Sequence, residues 1–599
     1  MCGIVGVHGV DGIEQMLRQV KHRGPDEQGT YYDEKRRVEL GVRRLKIIDL
    51  NTGSQPIYNE DNSLVIVYNG EIFNYLELRD ELIKFGHRFR TQTDTEVIIH
   101  AFEQWKLDCF SHFIGQWAFC IYDGRRMFLC RDRMGEKPLY YMKGQSWFAF
   151  ASEIKALHAR FPTAPRIVEE FWAFEKPPEG ETMFEGVSEL PPASYLVYDC
   201  EACKIEKIAT YWSIKTDEYD HRPENVLVDE LRALLDSAIK LRLRSDVPWG
   251  VALSGGLDSS IVACLAKPDI VFSVQFPLGP KFDELRYAEI VAKKIGAEQH
   301  VLTLTPNDMR EGLSDVIWHL DQPVATASPI ADFALSQLAS QHVKVLLGGQ
   351  GSDECFGGYA RYLIMKAEMN LLGIPELDNY QSMMRYFWSP EMFSEPYLRY
   401  FKLICRKSFQ HLKTTCSDGR VFFSEAEPVR SFFERCHDPI SAMGLTDIHL
   451  TLPPLIRMND RSASAVGIEN RSPFLDHRLI EFAFRLPPEM KIKEFRTKYL
   501  LRAAMRGIVP DEILDRTDKK GLIVPFGPWL NGKDAPLAAW RDDLIISLGH
   551  RINKPMGAGG NGRGEFDRSL YRDITLELWF RRFFPEFNLR STSAGDRNE

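Results

Sequence analysis

The first third of the chain alternates short apolar runs with Gly, Asn and Asp, a pattern that predicts β-strands separated by turns. The clearest runs lie at residues 4–7, 64–68, 117–122 and 195–198. Near 75–85 and 94–105, apolar residues instead recur three and four positions apart, as they do on one face of a helix. Residues 2–212 are therefore predicted to form a layered α+β domain.

The pattern changes after residues 213–227, a polar stretch with Pro223 that we interpret as a linker. A helical pattern over 228–243 leads into alternating helical stretches and apolar runs, the latter at 250–253, 270–276, 299–304 and 343–347. Strands that alternate with helices predict a parallel sheet, so residues 228–585 are predicted to form an α/β domain. Within it, residues 360–450 are mostly helical in pattern, and residues 586–599 form a polar tail.

Composition narrows the class of protein. Hydrophobic residues make up 44% of the chain and charged residues 27%, which is typical of folded globular proteins. The net charge of −9 disfavours nucleic acid as a partner, because sequence-independent binding needs a positive surface. No apolar run approaches the about 18 residues of a membrane span, so we expect no membrane partner. The first residues lack the features of a secretory signal, which predicts a cytoplasmic location with reduced cysteines. Cys200 and Cys203 are interpreted as part of a turn, since no second pair at zinc-site spacing accompanies them.

Cys2 directly follows Met1 and is the first candidate for chemistry. If Met1 is removed, one residue carries both a thiol and a free α-amine. That amine titrates at about 7.7–8.0 in model peptides, so at neutral pH it can accept the thiol proton. A nucleophile and its base would then belong to the same residue.

Several motifs downstream strengthen this interpretation. They lie at 22–26 (HRGPD), 43–49 (RRLKIID), 68–74 (YNGEIFN), 93–96 (TDTE), 131–140 (RDRMGEKPLY) and 151–157 (ASEIKAL). Together with Cys2 they resemble the glutaminase domain of class II glutamine amidotransferases, over about residues 2–212. The resemblance implies an N-terminal-nucleophile (Ntn) sandwich as the fold of this domain and glutamine as a substrate.

The resemblance also implies roles for individual residues. A thiolate that attacks a carboxamide builds an oxyanion, and the Asn69 side chain with the Gly70 backbone amide matches the family's donors for it. Arg44 suits the α-carboxylate of glutamine, because a guanidinium binds a carboxylate through two hydrogen bonds. Glu71 and Asp94 suit its ammonium group.

A second candidate site follows the strand predicted at 250–253. The segment 254–260 (SGGLDSS) joins this strand to a helix, whose N-terminus offers backbone amides to an anion. The segment resembles the signature of the ATP-pyrophosphatases, which cleave ATP between its α- and β-phosphates and adenylate a substrate. A GxGxxG pattern at 557–562 lacks a preceding strand, so we do not interpret it as a dinucleotide site.

The loop 348–354 (GGQGSDE) follows the next predicted strand and supplies a second acidic residue. Asp258 and Asp353 could share Mg²⁺, which prefers carboxylates together with phosphate oxygens. By resemblance, ATP is bound by residues of the two loops and their strands: Leu253, Ser254, Gly255, Gly256, Asp258, Ser259, Val274, Gly348 and Gly349.

Three later segments also match the second family. The segments Asp460-Arg461 and 469–476 (ENRSPFLD) carry its motifs, and Lys498 matches a catalytic lysine that stabilises charge on the adenylate and on the leaving phosphates. Lys519 and Lys520 resemble a basic loop over pyrophosphate. The order of both motif sets resembles glutamine-hydrolysing asparagine synthetases over about residues 2–585.

The two sites together predict one reaction. Glutamine is hydrolysed at Cys2, and the ammonia attacks an acyl-AMP made from ATP and a carboxylate, with a shielded route between the sites. Family resemblance favours aspartate as the acceptor, and a secondary-metabolite, sugar or peptide carboxylate stays open as the alternative. A non-catalytic homologue is disfavoured, because Cys2 and the segment 254–260 are both intact. Gln350 stands where the family commonly has Glu, which makes it a candidate for a changed second step. If the chain self-associates, we expect a homodimer.

Overall fold

The computed structural model describes residues 1–216, 218–276, 278–279, 282–324, 326–375, 377, 394–405, 414–417, 420–518, 524–532, 534–552 and 568–587. The predicted basic loop at Lys519 and Lys520, the glycine-rich loop at 553–565 and most of the polar tail lie outside these ranges. Among the described helices, none combines the length and the apolar character that crossing a bilayer requires.

Two antiparallel sheets form the first part of the chain. Residues 1–216, all of which are described, contain the strands β1 (Gly3–His8), β2 (Glu27–Asp33), β3 (Val38–Arg44), β4 (Ile57–Tyr58), β5 (Val65–Ile72), β6 (Gly115–Tyr122), β7 (Arg126–Arg131), β8 (Tyr140–Lys143), β9 (Phe148–Ala151), β10 (Ser188–Glu189), β11 (Ser194–Asp199) and β12 (Lys204–Thr210). Their order is β10-β8-β9-β1-β3-β2 in one sheet and β12-β11-β7-β6-β5-β4 in the other. Ile4 and Val42 of the first sheet share a buried cluster with Val67 and Leu196 of the second. The predicted α+β sandwich is confirmed.

The helices of this part cover the outer faces of the sandwich. They are α1 (Ile13–Gln19), α2 (Tyr75–Lys84), α3 (Asp94–Trp105), α4 (Cys109–His112), α5 (Ile154–Arg160) and α6 (Glu169–Phe174), with short 3-10 turns at Lys21–Arg23 and Lys106–Asp108. α2 and α3 confirm the two helices predicted from apolar spacing. Thr93 caps α3 by accepting a hydrogen bond from the Thr95 amide, which places Asp94 in the first helical turn. Cys200 and Cys203 lie in the turn between β11 and β12, as predicted.

A parallel sheet organises the second part of the chain. Its strands are β13 (Trp249–Ala252), β14 (Ile270–Gln275), β15 (Glu298–Thr303), β16 (Val345–Leu347) and a strand that the sequence did not predict, Glu469–Arg471, in the order β15-β14-β13-β16-Glu469–Arg471. The four predicted strands and their parallel arrangement are confirmed. The unpredicted strand has three residues, too few to show a period. Two described hairpins add short strands at Thr414–Ser417 with Arg420–Phe423 and at Ile492–Lys493 with Arg496–Thr497.

Helices flank this sheet and extend beyond it. They are α7 (Glu224–Arg242), α8 (Leu257–Ala266), α9 (Leu285–Ile295), α10 (Pro306–Leu320), α11 (Ser328–Ser340) and α12 (Ser352–Phe356), followed by Ala360–Leu372, Pro396–Ile404, Glu427–Glu434, Pro439–Leu450, Leu452–Ser464, His477–Arg485, Pro488–Lys491, Tyr499–Ala504, Asp511–Leu514, Phe526–Leu530, Ala538–Arg551 and Arg568–Phe583, with 3-10 turns at Ser424–Ala426 and Pro473–Leu475. The helix predicted from residue 228 begins at Glu224, because Pro223 sets a helix-compatible φ and interrupts the preceding polar segment. Within 360–450, the described residues confirm a mostly helical region with one hairpin.

Candidate active sites

Cys2 lies immediately before β1, and the surrounding chain holds its backbone from two sides. The Cys2 amide donates a hydrogen bond to Asn69 Oδ1 at 2.9 Å. The Cys2 carbonyl accepts one from Arg23 Nε, also at 2.9 Å. The side chain is buried at the junction of the two sheets. A nucleophile fixed in this way needs little reorganisation to attack a bound substrate.

Asn69 and Gly70, the predicted oxyanion donors, are neighbours on β5. Asn69 Nδ2 is a buried donor without a hydrogen-bond partner among the described residues, while Oδ1 of the same amide faces the Cys2 backbone. An unpaired buried donor is costly unless something fills its place. Gly70 has a φ of 153°, and a Cβ there would lie 2.1 Å from the Gln116 carbonyl oxygen. Only glycine fits at this position of the strand, and Asn69 Nδ2 is free to bind an oxyanion.

Burial controls the protonation of the thiol and of the amine beside it. It raises the pKa of the Cys2 thiol, although a hydrogen bond from the Leu45 backbone and the nearby Arg44 charge oppose the shift. Burial also lowers the pKa of the Met1 amine to about 6. In this environment a terminal amine is mostly neutral at neutral pH and can act as a base toward a thiol that remains protonated.

Three buried carboxyl groups surround the chain start. Burial raises the pKa of Asp94 to about 6, although Tyr68 Oη and the Ile72 amide donate hydrogen bonds to its Oδ2. Burial and the neighbouring Asp94 raise the pKa of Glu71 well above its usual range. Glu469, on the strand of the other domain, keeps a pKa lowered to about 2 because the charge of Arg471 lies beside it. Such a set attracts a cation, and Glu71 and Asp94 are where the sequence predicted the ammonium group of glutamine.

Arg44 lies at the end of β3, close enough to Cys2 to lower its pKa. Its Nη2 donates to the carbonyl oxygens of Ile48 and Asp49 at 3.0 and 2.8 Å, and its Nη1 lies 3.2 Å from Glu27 Oε2. These contacts fix the guanidinium beside the cysteine. Its role in binding the glutamine carboxylate stays a prediction.

The second site is a cavity of about 240 Å³ at the carboxyl ends of the parallel strands. Most of the predicted ATP residues line it: Leu253, Ser254, Gly256, Asp258, Ser259, Val274, Gly348 and Gly349, together with Gln350 and Asp353. Gly255 supports the loop from behind with a φ of 77°, since a Cβ there would lie 2.6 Å from the Ala288 amide nitrogen. Ligands of open α/β sheets bind at this edge.

Lys498 joins the two predicted metal ligands. Its Nζ lies 2.6 Å from Asp258 Oδ1 and 2.5 Å from Asp353 Oδ1, and the side chain is buried. The residue has a φ of 55°, a backbone conformation that is uncommon outside glycine and that often marks a functional position. Two carboxylates that converge on one cation form a donor set suited to Mg²⁺, so the residues present fit that ion.

Two acidic residues of the same cavity carried no sequence signal of their own. Asp332 on α11 and Glu354 on α12 line the cavity, and burial raises the pKa of each to about 7. Asp332 Oδ2 has no hydrogen-bond partner in the described structure, whereas Glu354 Oε1 accepts one from Tyr359 Oη at 2.5 Å. Glu354 follows Asp353 in the predicted loop, but only its burial identifies it as a group able to exchange a proton near neutral pH.

A smaller cavity of about 20 Å³ lies between the two sites. Gln116, Glu136 and Lys137 line it from the first domain. Gln350, Asn459 and Asn470 line it from the second, and these three residues also line the larger cavity. Lys137 Nζ in turn contacts the sulfur of Met1 at 3.0 Å. The described residues thus form a continuous sequence of contacts from the chain start to the ATP cavity.

Arg23 binds the two domains together and was named in a motif without a predicted role. Its guanidinium is buried between Glu153 of the first domain and Asp460 of the second, with Nη1 at 2.9 Å from an oxygen of each carboxylate. Burial of an arginine with two carboxylates and a backbone carbonyl satisfies its donors. In the sequence, only its position in the 22–26 motif pointed to Arg23. The ion pair with Asp460 is seen only in the folded structure.

A buried cysteine beside an amide donor left unpaired in the described structure, joined through shared walls to a cavity at the carboxyl edge of a parallel sheet, fits a glutamine amidotransferase coupled to an ATP-dependent synthetase. Residues 1–212 match the family described as glutamine amidotransferase domain, and residues 230–575 match the family described as asparagine synthase. The chain belongs to the asparagine synthetase family. Members of this family are ATP-dependent, glutamine-hydrolysing amide ligases.

Curated relatives match over most of their length. Asparagine synthetase (glutamine-hydrolyzing) 1 of Bacillus subtilis (strain 168) is 31% identical over 580 residues, which cover 89% of this chain and 88% of the relative. A putative asparagine synthetase of Mycobacterium tuberculosis (strain ATCC 25618 / H37Rv) is 29% identical, over 96% of this chain and 95% of the relative. A protein named amidase chyE, from Penicillium rubens, is 30% identical, over 88% and 86%.

Proposed function

We propose that the chain is a glutamine-dependent asparagine synthetase or a close relative of one. It hydrolyses glutamine at Cys2 and uses the ammonia to convert a carboxylate, activated by ATP, into an amide. The contacts that run from Cys2 to the ATP cavity carry this proposal, because both half-reactions then take place in one molecule with shared walls.

Removal of Met1 is the first requirement of the mechanism. The Cys2 amine then takes the thiol proton, and the sulfur attacks the carboxamide carbon of glutamine. Asn69 Nδ2 and the Gly70 amide bind the oxyanion that forms, while Glu71 and Asp94 hold the substrate ammonium and Arg44 its carboxylate. Ammonia leaves, and water then hydrolyses the thioester to glutamate.

The second half-reaction uses the larger cavity. A carboxylate oxygen of the acceptor attacks the α-phosphorus of ATP, and pyrophosphate leaves. The loop at 254–260 offers backbone amides to the phosphates, and Lys498 is placed to balance the charge of the adenylate and of the leaving group. Asp258 and Asp353 would hold Mg²⁺, which neutralises phosphate charge when bound. Ammonia then attacks the acyl carbon, and AMP leaves as the amide forms.

The small cavity is the proposed path of ammonia. Loss of Met1 removes the side chain that separates Cys2 from Lys137, which opens the chain start toward this cavity. Glu136 lines the path, and burial raises the pKa of its carboxyl to about 8, so the group is mostly neutral at neutral pH. A path shielded from bulk water would keep ammonia unprotonated and protect the acyl-AMP from hydrolysis.

Aspartate is the acceptor we propose first, on the basis of the family. A tailoring amidotransferase that amidates another carboxylate is the second candidate, because Gln350 lines the ATP cavity where the family commonly has an acid. A side-chain amide cannot take a proton from the incoming nitrogen nucleophile as a carboxylate can.

A pyrophosphate-release screen over carboxylate acceptors tests both candidates. The full chain is incubated with ATP, Mg²⁺ and ammonium, with aspartate first among the acceptors and no acceptor as the control. Aspartate-dependent release together with asparagine formation supports the proposal. Release with a different carboxylate supports the second candidate, and no stimulated release with any acceptor contradicts both.

A further inference from the structure

A cluster of two histidines and two glutamates lies on the first domain, away from both active sites. It consists of Glu60 after β4, His87 after α2, and His100 and Glu103 on α3, the last two three residues apart on one helix face. One donor atom from each of the four side chains lies within 4.8 Å of the other three. Neither half-reaction uses these groups.

We propose that these four side chains bind a divalent transition-metal ion, with Zn²⁺ as the best match. Four ligands at about 2.0–2.1 Å in a tetrahedron lie about 3.3 Å from one another. The corresponding distances here are 3.2 and 3.1 Å from His100 Nδ1 to Glu60 Oε2 and Glu103 Oε2. They are 3.4 and 3.9 Å from His87 Nδ1 to Glu60 Oε1 and Glu103 Oε2. The histidine–carboxylate distances are thus close to the tetrahedral value, with Glu60 facing His100 through Oε2 and His87 through Oε1.

The orientation of both imidazole rings supports the same conclusion. Each histidine directs Nδ1 into the cluster and turns Nε2 toward an oxygen outside it. Nε2 of His87 lies at hydrogen-bond distance, 3.4 Å, from Gln104 Oε1, whereas Nε2 of His100 lies 3.5 Å from Glu96 Oε1 and makes no hydrogen bond among the described residues. Metal-bound histidines usually donate their second nitrogen to such an oxygen, and the His87 ring is oriented for this contact.

Hydrogen bonds also fix the two carboxylates of the cluster. Asn59 Nδ2 donates to Glu103 Oε1 at 2.8 Å, and the Arg88 amide donates to Glu60 Oε1 at 3.0 Å. In both cases Oε2 lies next to His100 Nδ1. Two carboxylates that meet at one imidazole nitrogen favour positive charge between them, which either a metal ion or a protonated His100 supplies. Mixed nitrogen and oxygen donors favour Zn²⁺ over Mg²⁺ or Ca²⁺, which prefer oxygen alone.

The site would have a structural role. A metal there ties the turn after β4 and the α2–α3 connection to α3, whose first turn carries Asp94. All four positions are filled by protein, as in structural rather than catalytic zinc sites. The partial exposure of Glu60, Glu103 and His87 gives an ion access from solvent.

Metal analysis of the full-length protein tests the proposal. Protein treated with a chelator, incubated with Zn²⁺ and dialysed is compared with His87→Gln, Glu103→Gln and the control His112→Gln. His112 lies nearby on α4, stacked on Trp105, and outside the cluster. We expect about one zinc per chain in the wild type and in the control. Both cluster variants should retain markedly less.

Thermal unfolding provides the second readout, and it does not depend on either catalytic activity. Zn²⁺ at about a hundredfold excess over its Kd should raise the unfolding midpoint of the full chain by roughly 2 °C in the wild type and the control. No shift is expected in His87→Gln, which is partly exposed and should fold. Equal zinc content in His87→Gln and wild type, or a folded wild type without bound zinc or shift, would overturn the proposal and leave the cluster as an ion-pair network.

Discussion

The two active sites are built in different ways, although one reaction needs both. The glutaminase site is set on strands: Cys2 lies immediately before β1, Asn69 and Gly70 lie within β5, and a hydrogen bond joins the Cys2 amide to Asn69 Oδ1. The synthetase site is set on loops after β13 and β16, around a cavity of about 240 Å³. A small, constant substrate suits a rigid site, whereas a large nucleotide and an acceptor suit loops on a rigid sheet. We expect chemical specificity to be strict in the first site and to differ among relatives in the second.

Replacement of the nucleophile Cys2 should have the largest effect, because it should remove the activity of the glutaminase site and leave that of the synthetase site intact. Cys2→Ala removes the sulfur, so glutamine-dependent amide formation should fall by on the order of 10³-fold or more, while ammonium-dependent formation persists. Amide product is measured with each nitrogen source. Cys203→Ala, in an outlying turn, is the matched control. Loss of the ammonium-dependent activity in folded Cys2→Ala would contradict two separable sites.

Replacement of Asp258 should have the opposite effect: the synthetase activity should be lost and the glutaminase activity retained. Asp258→Asn removes one of the two carboxylates that meet at Lys498, so acceptor-dependent pyrophosphate release should fall by about 10²–10³-fold. Glutamine hydrolysis should be retained. Exposed Asp269→Asn serves as the control on the same domain. Unchanged pyrophosphate release at saturating Mg²⁺ would remove Asp258 from the site.

Loss of the Asn69 side chain, the proposed oxyanion donor, should slow glutamine hydrolysis without abolishing it. Asn69→Ala removes the free Nδ2 group and the hydrogen bond to the Cys2 backbone, and should lower the kcat of glutamine hydrolysis by about 10²–10³-fold. Steady-state kinetics give the value, and ammonium-dependent synthesis in the same preparation confirms the fold. A change in KM alone would assign Asn69 to substrate binding instead.

Glutamine binding should weaken in acid because of Asp94. Its pKa of about 6 means that the carboxylate, which pairs with the substrate ammonium, is neutralised as the pH falls through that value. With Cys2→Ala, which binds without turnover, the Kd for glutamine should rise by about tenfold per pH unit below about pH 6 and be flat above about pH 7. Asp94→Asn should bind weakly with a flatter profile. Titration calorimetry measures both, and identical profiles would exclude Asp94 as the titrating group.

The smallest effect is expected at Gln350, which both cavities share. Gln350→Glu should change the amide formed per AMP more than it changes pyrophosphate release. The change should stay below about 10²-fold, the lower limit of what a positioned general base supplies. Equal changes in both quantities would show that Gln350 has no separate part in the second step.

Periodicity and motifs predicted much of this arrangement. The spacing of apolar residues was sufficient for α2 and α3, because burial of one helix face imposes it, and continuous apolar runs marked β13 to β16 of the parallel sheet. The convergence of Asp258 and Asp353 could be expected, since β13 and β16 are parallel neighbours whose carboxyl ends share an edge.

What could not be predicted depends on contacts between distant segments. The pairing of Arg23 with Asp460 spans the two domains, and the raised pKa of Asp332 follows from burial that no local pattern encodes. The segment Glu469–Arg471 was assigned only to a family motif, so the strand that it forms beside β16 was not predicted.

The position of Arg23 limits how the halves of this protein can be exchanged. The same guanidinium that holds the Cys2 carbonyl is neutralised partly by a carboxylate of the synthetase half. In a chimaera that joins residues 1–212 to the second half of another enzyme, the buried Arg23 charge would lose one of its carboxylate partners. The charge would remain paired there only if the new half supplies an acid in the same place. Recombination within the family is thereby restricted to halves that match at this contact.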